Sequence, residues 1–150
     1  MEADERLLLI GQAPSRTGDP AAVLIGRSGI WLADLMGISL SEYVRRTDRV
    51  NLFDRWPGKN GKGDAWDIGE AGRRAVRLMP MLEGRQTIFL GRNAAAAFGM
   101  PKVPWMTWIV AFGGGVAVIP HPSGIVSWWN DAGNRAAASE FLRGAVGGLC

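Results

Sequence analysis

The stretch GVAVIPHPSG, residues 115–124, decides how the rest of this chain is read. Its first half is an unbroken apolar run, the pattern of a strand buried on both faces. Its second half is a loop stiffened by two prolines, and it carries His121, the only histidine in the sequence. A strand covered on both faces belongs to a mostly parallel sheet flanked by helices, so similar units should recur along the chain. They do. RLLLIG (6–11) reads as a first strand, RVNLF (49–53) as a second, QTIFLG (86–91) as a third and GVAVIP (115–120) as a fourth.

Helical patterns lie between these runs. RSGIWLADLMG (27–37) has Ser28 as a candidate N-cap and Gly37 as its stop. Ser39 and Glu42 stand at capping-box spacing and open a short second helix. DRWPGKNGKGD (54–64) reads as a polar, glycine-rich loop. Asp64 is placed as the cap of the longest helix, running from 65 to about 82, with Ile68, Ala71, Ala75, Val76 and Met79 as its apolar stripe. Pro80 is expected to end or kink it. RNAAAAFG (92–99) forms a helix stopped by Gly99, MPKVPWMTWIVAFGGG (100–115) a loop plus an edge strand, and NRAAASEFLRGAV (134–146) the closing helix. The expected fold is one α/β domain over residues 1–150.

Composition narrows the chemistry. Hydrophobic residues make up 47% and charged residues 21%, which is globular composition. No apolar run approaches the roughly 18 residues of a membrane span. The start is acidic before a short apolar run, the wrong polarity for a signal peptide, so the expectation is a cytoplasmic protein with no membrane partner. With Cys150 the only cysteine and His121 the only histidine, a His/Cys zinc site is ruled out, and no run of acids suggests magnesium. Neither metal nor cofactor is expected. The net charge is +3, and several arginines sit in glycine-rich loops: Arg16 in PSRTGDP, Arg27 in IGRSG. Such arginines suit phosphate contacts or an ordinary solvated surface equally.

Polar features collect at three strand ends: GQAPSRTGDP, VNLFDRWPG and PHPSG. In an open α/β sheet, ligands bind at the carboxyl ends of strands, so Gln12, Asn51 and His121 are expected to share one pocket. An asparagine amide offers a donor and an acceptor, which matches the edge of a pyrimidine. A donor such as His121 stabilises negative charge on a departing group. Phe53, just past the asparagine, can stack on a base.

GQAP (11–14) after the first strand, Asn51 at the end of the second and HPSG (121–124) after the fourth form an ordered set. That set resembles the uracil-DNA glycosylase superfamily, and LIGRSGIWLADLMG (24–37) and IFLGRNAAAAFG (88–99) are similar to further stretches of it. The resemblance implies a three-layer α/β/α domain with a central, mostly parallel four-stranded sheet. It implies a monofunctional DNA glycosylase that flips out uracil or another modified pyrimidine and hydrolyses the N-glycosidic bond, leaving an abasic site. Single- or double-stranded DNA carrying the modified base would be the partner and the protein a monomer, nucleoid-associated or phage-encoded and acting in a host cytoplasm.

By the same resemblance, Gly11, Gln12, Asn51 and Phe53 would bind the base and His121 would stabilise it as it leaves. Ser123, Gly124, Arg16 and Arg27 would hold DNA, and Ile125 or Val126 would be the apolar wedge. The sequence also departs from the family. Ala13 stands where many members carry an acid or amide, which leaves Asp19 as the nearby candidate acid. Leu24 stands where an aromatic often stacks. The iron–sulfur branches need four cysteines and are excluded. Trp31 and Trp66 are assigned to helices and packing, whereas Trp56, Trp128 or Trp129 are candidates for stacking on bases. Arg55, Lys59 and Lys62 flank a loop suited to phosphate. The rival readings are a DNA- or nucleotide-binding module that does not cut, and a glycosylase for a hypermodified base.

Overall fold

The computed structural model describes residues 6–16, 18–19, 21–60, 63–122 and 126–147. In chain order its elements are β1 (Leu7–Gly11), α1 (Arg27–Met36), α2 (Leu40–Arg46), β2 (Thr47–Asn51), β3 (Lys59–Asn60), β4 (Gly63–Asp64) and α3 (Ile68–Leu82). There follow β5 (Gln86–Leu90), α4 (Arg92–Ala97), β6 (Ile109–Ala111), β7 (Gly114–Ile119), a 3-10 turn (Ser127–Asn130) and α5 (Ala132–Gly147).

Five strands form one sheet in the order β2-β1-β5-β7-β6, while β3 and β4 make a separate small hairpin. β2, β1, β5 and β7 are parallel, and β6 closes the edge antiparallel to β7. The four expected strands are therefore the parallel core, and the sheet has a fifth. The edge strand expected within 100–115 supplies it, joined to β7 by a tight turn through Phe112 and Gly113, both at positive φ. β3 and β4 sit inside the stretch expected to be loop only.

Alternation along the strands builds two cores. Leu7, Leu9, Ile88, Leu90, Ala117 and Ile119 face α1, α2 and α5. Leu8, Ile10, Phe89, Val116 and Val118 face α3 and α4. Helices thus cover both faces, which is why the central strands read as continuous apolar runs.

Several boundaries differ from the sequence reading, each for a local reason. β2 starts at Thr47 instead of 49, because its polar residues are satisfied: Thr47 Oγ1 donates to the Tyr43 carbonyl at 2.7 Å. It ends at Asn51, so Phe53 lies in the following loop. α3 is capped by Asp67, whose side chain accepts from the Glu70 N–H at 3.0 Å, and not by Asp64. Trp66 consequently precedes that helix. Pro80 lies inside α3 in its last turn and does not end it. Of the expected stripe, Ala71 and Ala75 are buried, but Ile68 and Val76 are 69% and 63% exposed. Ser28 is a residue of α1 and not its cap, which is Gly26. Gly37, in left-handed conformation, ends α1 as read, and Ser39 Oγ caps α2 by accepting from the Glu42 N–H.

Candidate base-binding site at the strand ends

The order β2-β1-β5 carries a topological switch: from β1 the chain goes first to one side, then to the other. Crevices form at the carboxyl ends of strands at such a point. Gly11, Asn51, Gly91 and His121 all lie at or just beyond those ends.

The β1–β2 ladder runs past the strands. Gly11 pairs with Asn51, the Leu52 N–H donates to the Gly11 carbonyl at 3.0 Å, and the Phe53 N–H donates to the Gln12 carbonyl at 2.9 Å. Asn51 is thereby pressed against the first turn. A Cβ on Gly11 would stand 2.5 Å from Asn51 Oδ1 and 3.4 Å from Leu24 Cδ2, so only glycine leaves the amide where it is. Among the described residues, the buried Asn51 Oδ1 has no hydrogen-bond partner. A buried acceptor without a donor costs about 1–3 kcal/mol, and such a group needs a reason.

Gly91 performs the matching task between β5 and β7. Its φ is +99°, and a Cβ there would meet Gln12 Nε2 at 3.2 Å and His121 Cβ at 3.4 Å. Gln12 and His121 therefore both pack against the bare backbone of Gly91, where a side chain would crowd them. The backbone of the histidine loop is tied down at two points. The Trp129 indole N–H donates to the His121 carbonyl at 2.7 Å, and Ser28 Oγ donates to the Pro122 carbonyl at 3.3 Å.

Leu24 completes the wall beside Asn51 in an unfavourable conformation, at φ +53°. Left-handed backbone costs a leucine about 1–2 kcal/mol. The buried Tyr43 hydroxyl holds it there, donating to the Leu24 carbonyl at 2.8 Å, and burial pushes the Tyr43 phenol pKa above its ordinary value. Gly29 allows the same approach, since a side chain there would overlap the Leu24 carbonyl oxygen.

Phe53 stands half-buried beside the site, its ring nearly perpendicular to that of Trp66 with centroids 5.6 Å apart. The remaining assigned residues are more dispersed. Asp19 is exposed, and its carboxylate accepts from the Ala21 N–H at 2.9 Å, which makes it a turn former. Arg16, Arg27, Arg55 and Lys59 are exposed. Val126 packs on the core beneath the sheet, as does Trp128 in part. Trp129 is 3% exposed, so its ring is core and not a free stacking surface. Ser123, Gly124, Ile125 and Lys62 lie outside the described residues.

Two surface concavities, of about 390 and 520 Å3, flank Trp108 near the β6 edge, and neither is lined by Gln12, Asn51 or His121. Among the described residues no cluster of His, Cys, Asp and Glu could hold a metal ion, and no helix is long and apolar enough to cross a membrane. Sequence reasoning missed Gly91, the Leu24 conformation and the Tyr43 hydroxyl. The positive φ of Gly91 leaves only a weak trace in sequence, a glycine directly after a strand. The other two depend on residues far apart in the chain. Compared with known proteins, this chain matches no family model and no curated protein.

Proposed function

We propose that this protein is a monofunctional DNA glycosylase acting on uracil or a related pyrimidine. The observation that carries the reading is the buried, unpartnered Asn51 Oδ1 at the switch point of an α/β sheet. A pyrimidine imide N–H or exocyclic amine is the donor that oxygen lacks. His121, beside Gln12 at the neighbouring strand ends, is the group to stabilise charge on the departing base. In the hydrolysis the C1′–N bond breaks, its electron pair leaves with the base, and water supplies the hydroxyl to C1′ and the proton to the base. A flipped base reaches Asn51 only when one of the groups sealing it moves, and Leu24, already strained, is the natural one.

A second reading has its own support. Ala13 brings no polar group to the first turn, and the Asp19 carboxylate is engaged in its own turn. A fold that grips a base without cutting would look the same in these respects.

Labelled single- and double-stranded oligonucleotides carrying uracil, hypoxanthine, xanthine or a hydroxymethylated or glucosylated pyrimidine separate the two. Alkali reveals abasic sites after incubation. Excision should fall by roughly 10²–10³ in His121→Ala, the usual loss for one charge-stabilising donor, and by a similar factor in Asn51→Ala. Excision indifferent to both substitutions would remove these residues from the chemistry. Binding without any abasic product would favour the second reading.

A further inference from the structure

Arg74, on α3, takes no part in the site as described above, yet its guanidinium meets three successive residues of the chain leaving Asn51. Nη1 donates to the Leu52 carbonyl at 3.4 Å and stands 3.8 Å from Asp54 Oδ1, while Cζ lies 5.0 Å from the centroid of the Phe53 ring. Nε donates to Glu70 Oε1 at 3.1 Å, one helical turn back. The pair with Glu70 already completes an ordinary i,i+4 bridge on a helix surface. The reach across to residues 52–54 is additional. Leu52 and Phe53 are also held by Gly11 and Gln12, whose carbonyls accept their N–H groups. The turn is thus gripped between the first strand end and one arginine.

We propose that Arg74 is the positioning residue of the base pocket: it fixes the turn after Asn51 so that Phe53 presents one ring face to a flipped base, with the positive charge behind the ring. The inference rests on the base-excision reading. A cation over one face of an aromatic ring is attracted by the negative face of its quadrupole and offsets that negative potential. The opposite face then tolerates a base that leaves with negative charge. Arg74 should therefore matter most where the leaving group is poor.

The test compares wild type, Arg74→Lys and Arg74→Met on oligonucleotides carrying uracil or 5-fluorouracil, whose more acidic base leaves more easily. Arg74→Met should lower kcat on uracil about tenfold, with a clearly smaller loss on 5-fluorouracil and KM little changed. Arg74→Lys keeps the charge but not the planar fork, and should recover only part of the loss. Equal losses on both bases would overturn the electrostatic role, and full recovery by lysine would overturn the part assigned to the planar guanidinium in fixing the turn. 4-Fluorophenylalanine placed at position 53 gives a readout that needs no activity. Its fluorine resonance should move in Arg74→Met and, less, in Arg74→Lys; an unmoved resonance would overturn the positioning role. Should the wild type cut neither base, the excision reading fails by itself, and the fluorine signal still decides whether Arg74 holds the ring.

Discussion

The two ends of β2 treat polar groups in opposite ways. At its amino end Asp48 accepts from Arg85 Nη2 at 2.8 Å and from Arg6 Nη1 at 3.3 Å, and Arg85 also donates to the Arg6 carbonyl at 2.9 Å. At its carboxyl end, about 10 Å further along the strand, the Asn51 acceptor is buried with no donor. Unpartnered atoms occur at the first end too, among them Arg85 Nε and Thr87 Oγ1. They differ in kind. Arg85 still donates twice through Nη2, and a threonine hydroxyl can rotate, whereas Oδ1 is the only acceptor on the Asn51 side chain. One end is completed by the chain itself. At the other, no donor comes from the described residues, which is what the proposed base-binding role requires.

The largest effect that tests this contrast is at the structural end. Arg85→Ala leaves the Asp48 carboxylate without its nearest cation and should cost about 3 kcal/mol, the low end for a broken buried pair because Asp48 keeps some contact with water. Urea unfolding measures the loss, while excision per folded molecule should be unchanged. The same cluster sets an acid limit. Burial pushes the Asp48 carboxyl up, but the hydrogen bonds and charges of Arg85 and then Arg6 outweigh it and hold the pKa below its ordinary value. A depressed carboxylate contributes stability that is present above its unfolded pKa, near 3.9, and is lost as pH falls through the lower folded value. Wild type should therefore lose stability below about pH 4, and Arg85→Ala should lose less of it over that range. Equal acid slopes in the two proteins would mean that the cluster is not what holds this end.

At the carboxyl end the signs reverse. Asn51→Ala removes a buried acceptor that has no partner to lose, so stability should hold or rise while excision collapses. Gly11→Ala should reproduce much of the activity loss with Asn51 still present, since the added methyl stands 2.5 Å from Oδ1 and must displace it. A Gly11→Ala protein with wild-type excision would show that the amide need not sit where this structure holds it. A large stability loss in Asn51→Ala would erase the distinction between the two ends.

What sequence conveyed follows from how local each determinant is. The central strands were legible because helices on both faces make them continuously apolar, and the Ser39 cap because its partner is three residues away. Asp67 and Glu70 repeat that same spacing at the start of α3, whereas Asp64 ends β4. The start of β2 was hidden because Thr47, Asp48 and Arg49 look like loop residues until their partners are known. Those partners are Tyr43, Arg85 and the Thr47 carbonyl. The positions of Gln12, Asn51 and His121 at neighbouring strand ends were legible from the rule that parallel sheets bind ligands there. Their enclosure was not. It depends on Gly91 and Leu24, where a backbone angle sets how closely the neighbours approach and the side-chain type barely signals it.

The smallest expected effect is the one that best tests that enclosure. Tyr43→Phe keeps the buried ring and deletes one hydrogen bond, so it should cost about 1 kcal/mol of stability. Its consequence for the site is larger than that figure suggests, because the deleted bond is the one holding Leu24 in left-handed backbone. Freed of it, residues 22–26 can relax toward ordinary φ and swing the Leu24 side chain off the Gly11–Asn51 contact. If Leu24 is the group a flipped base must displace, Tyr43→Phe opens the site in advance, and KM for a pyrimidine substrate should fall or hold while stability drops. If Leu24 is instead a wall against which the base is held, the same substitution raises KM with little change in kcat. Steady-state kinetics on the one substrate the wild type cuts best distinguishes a strained residue that guards the orphan oxygen from one that helps fill its pocket.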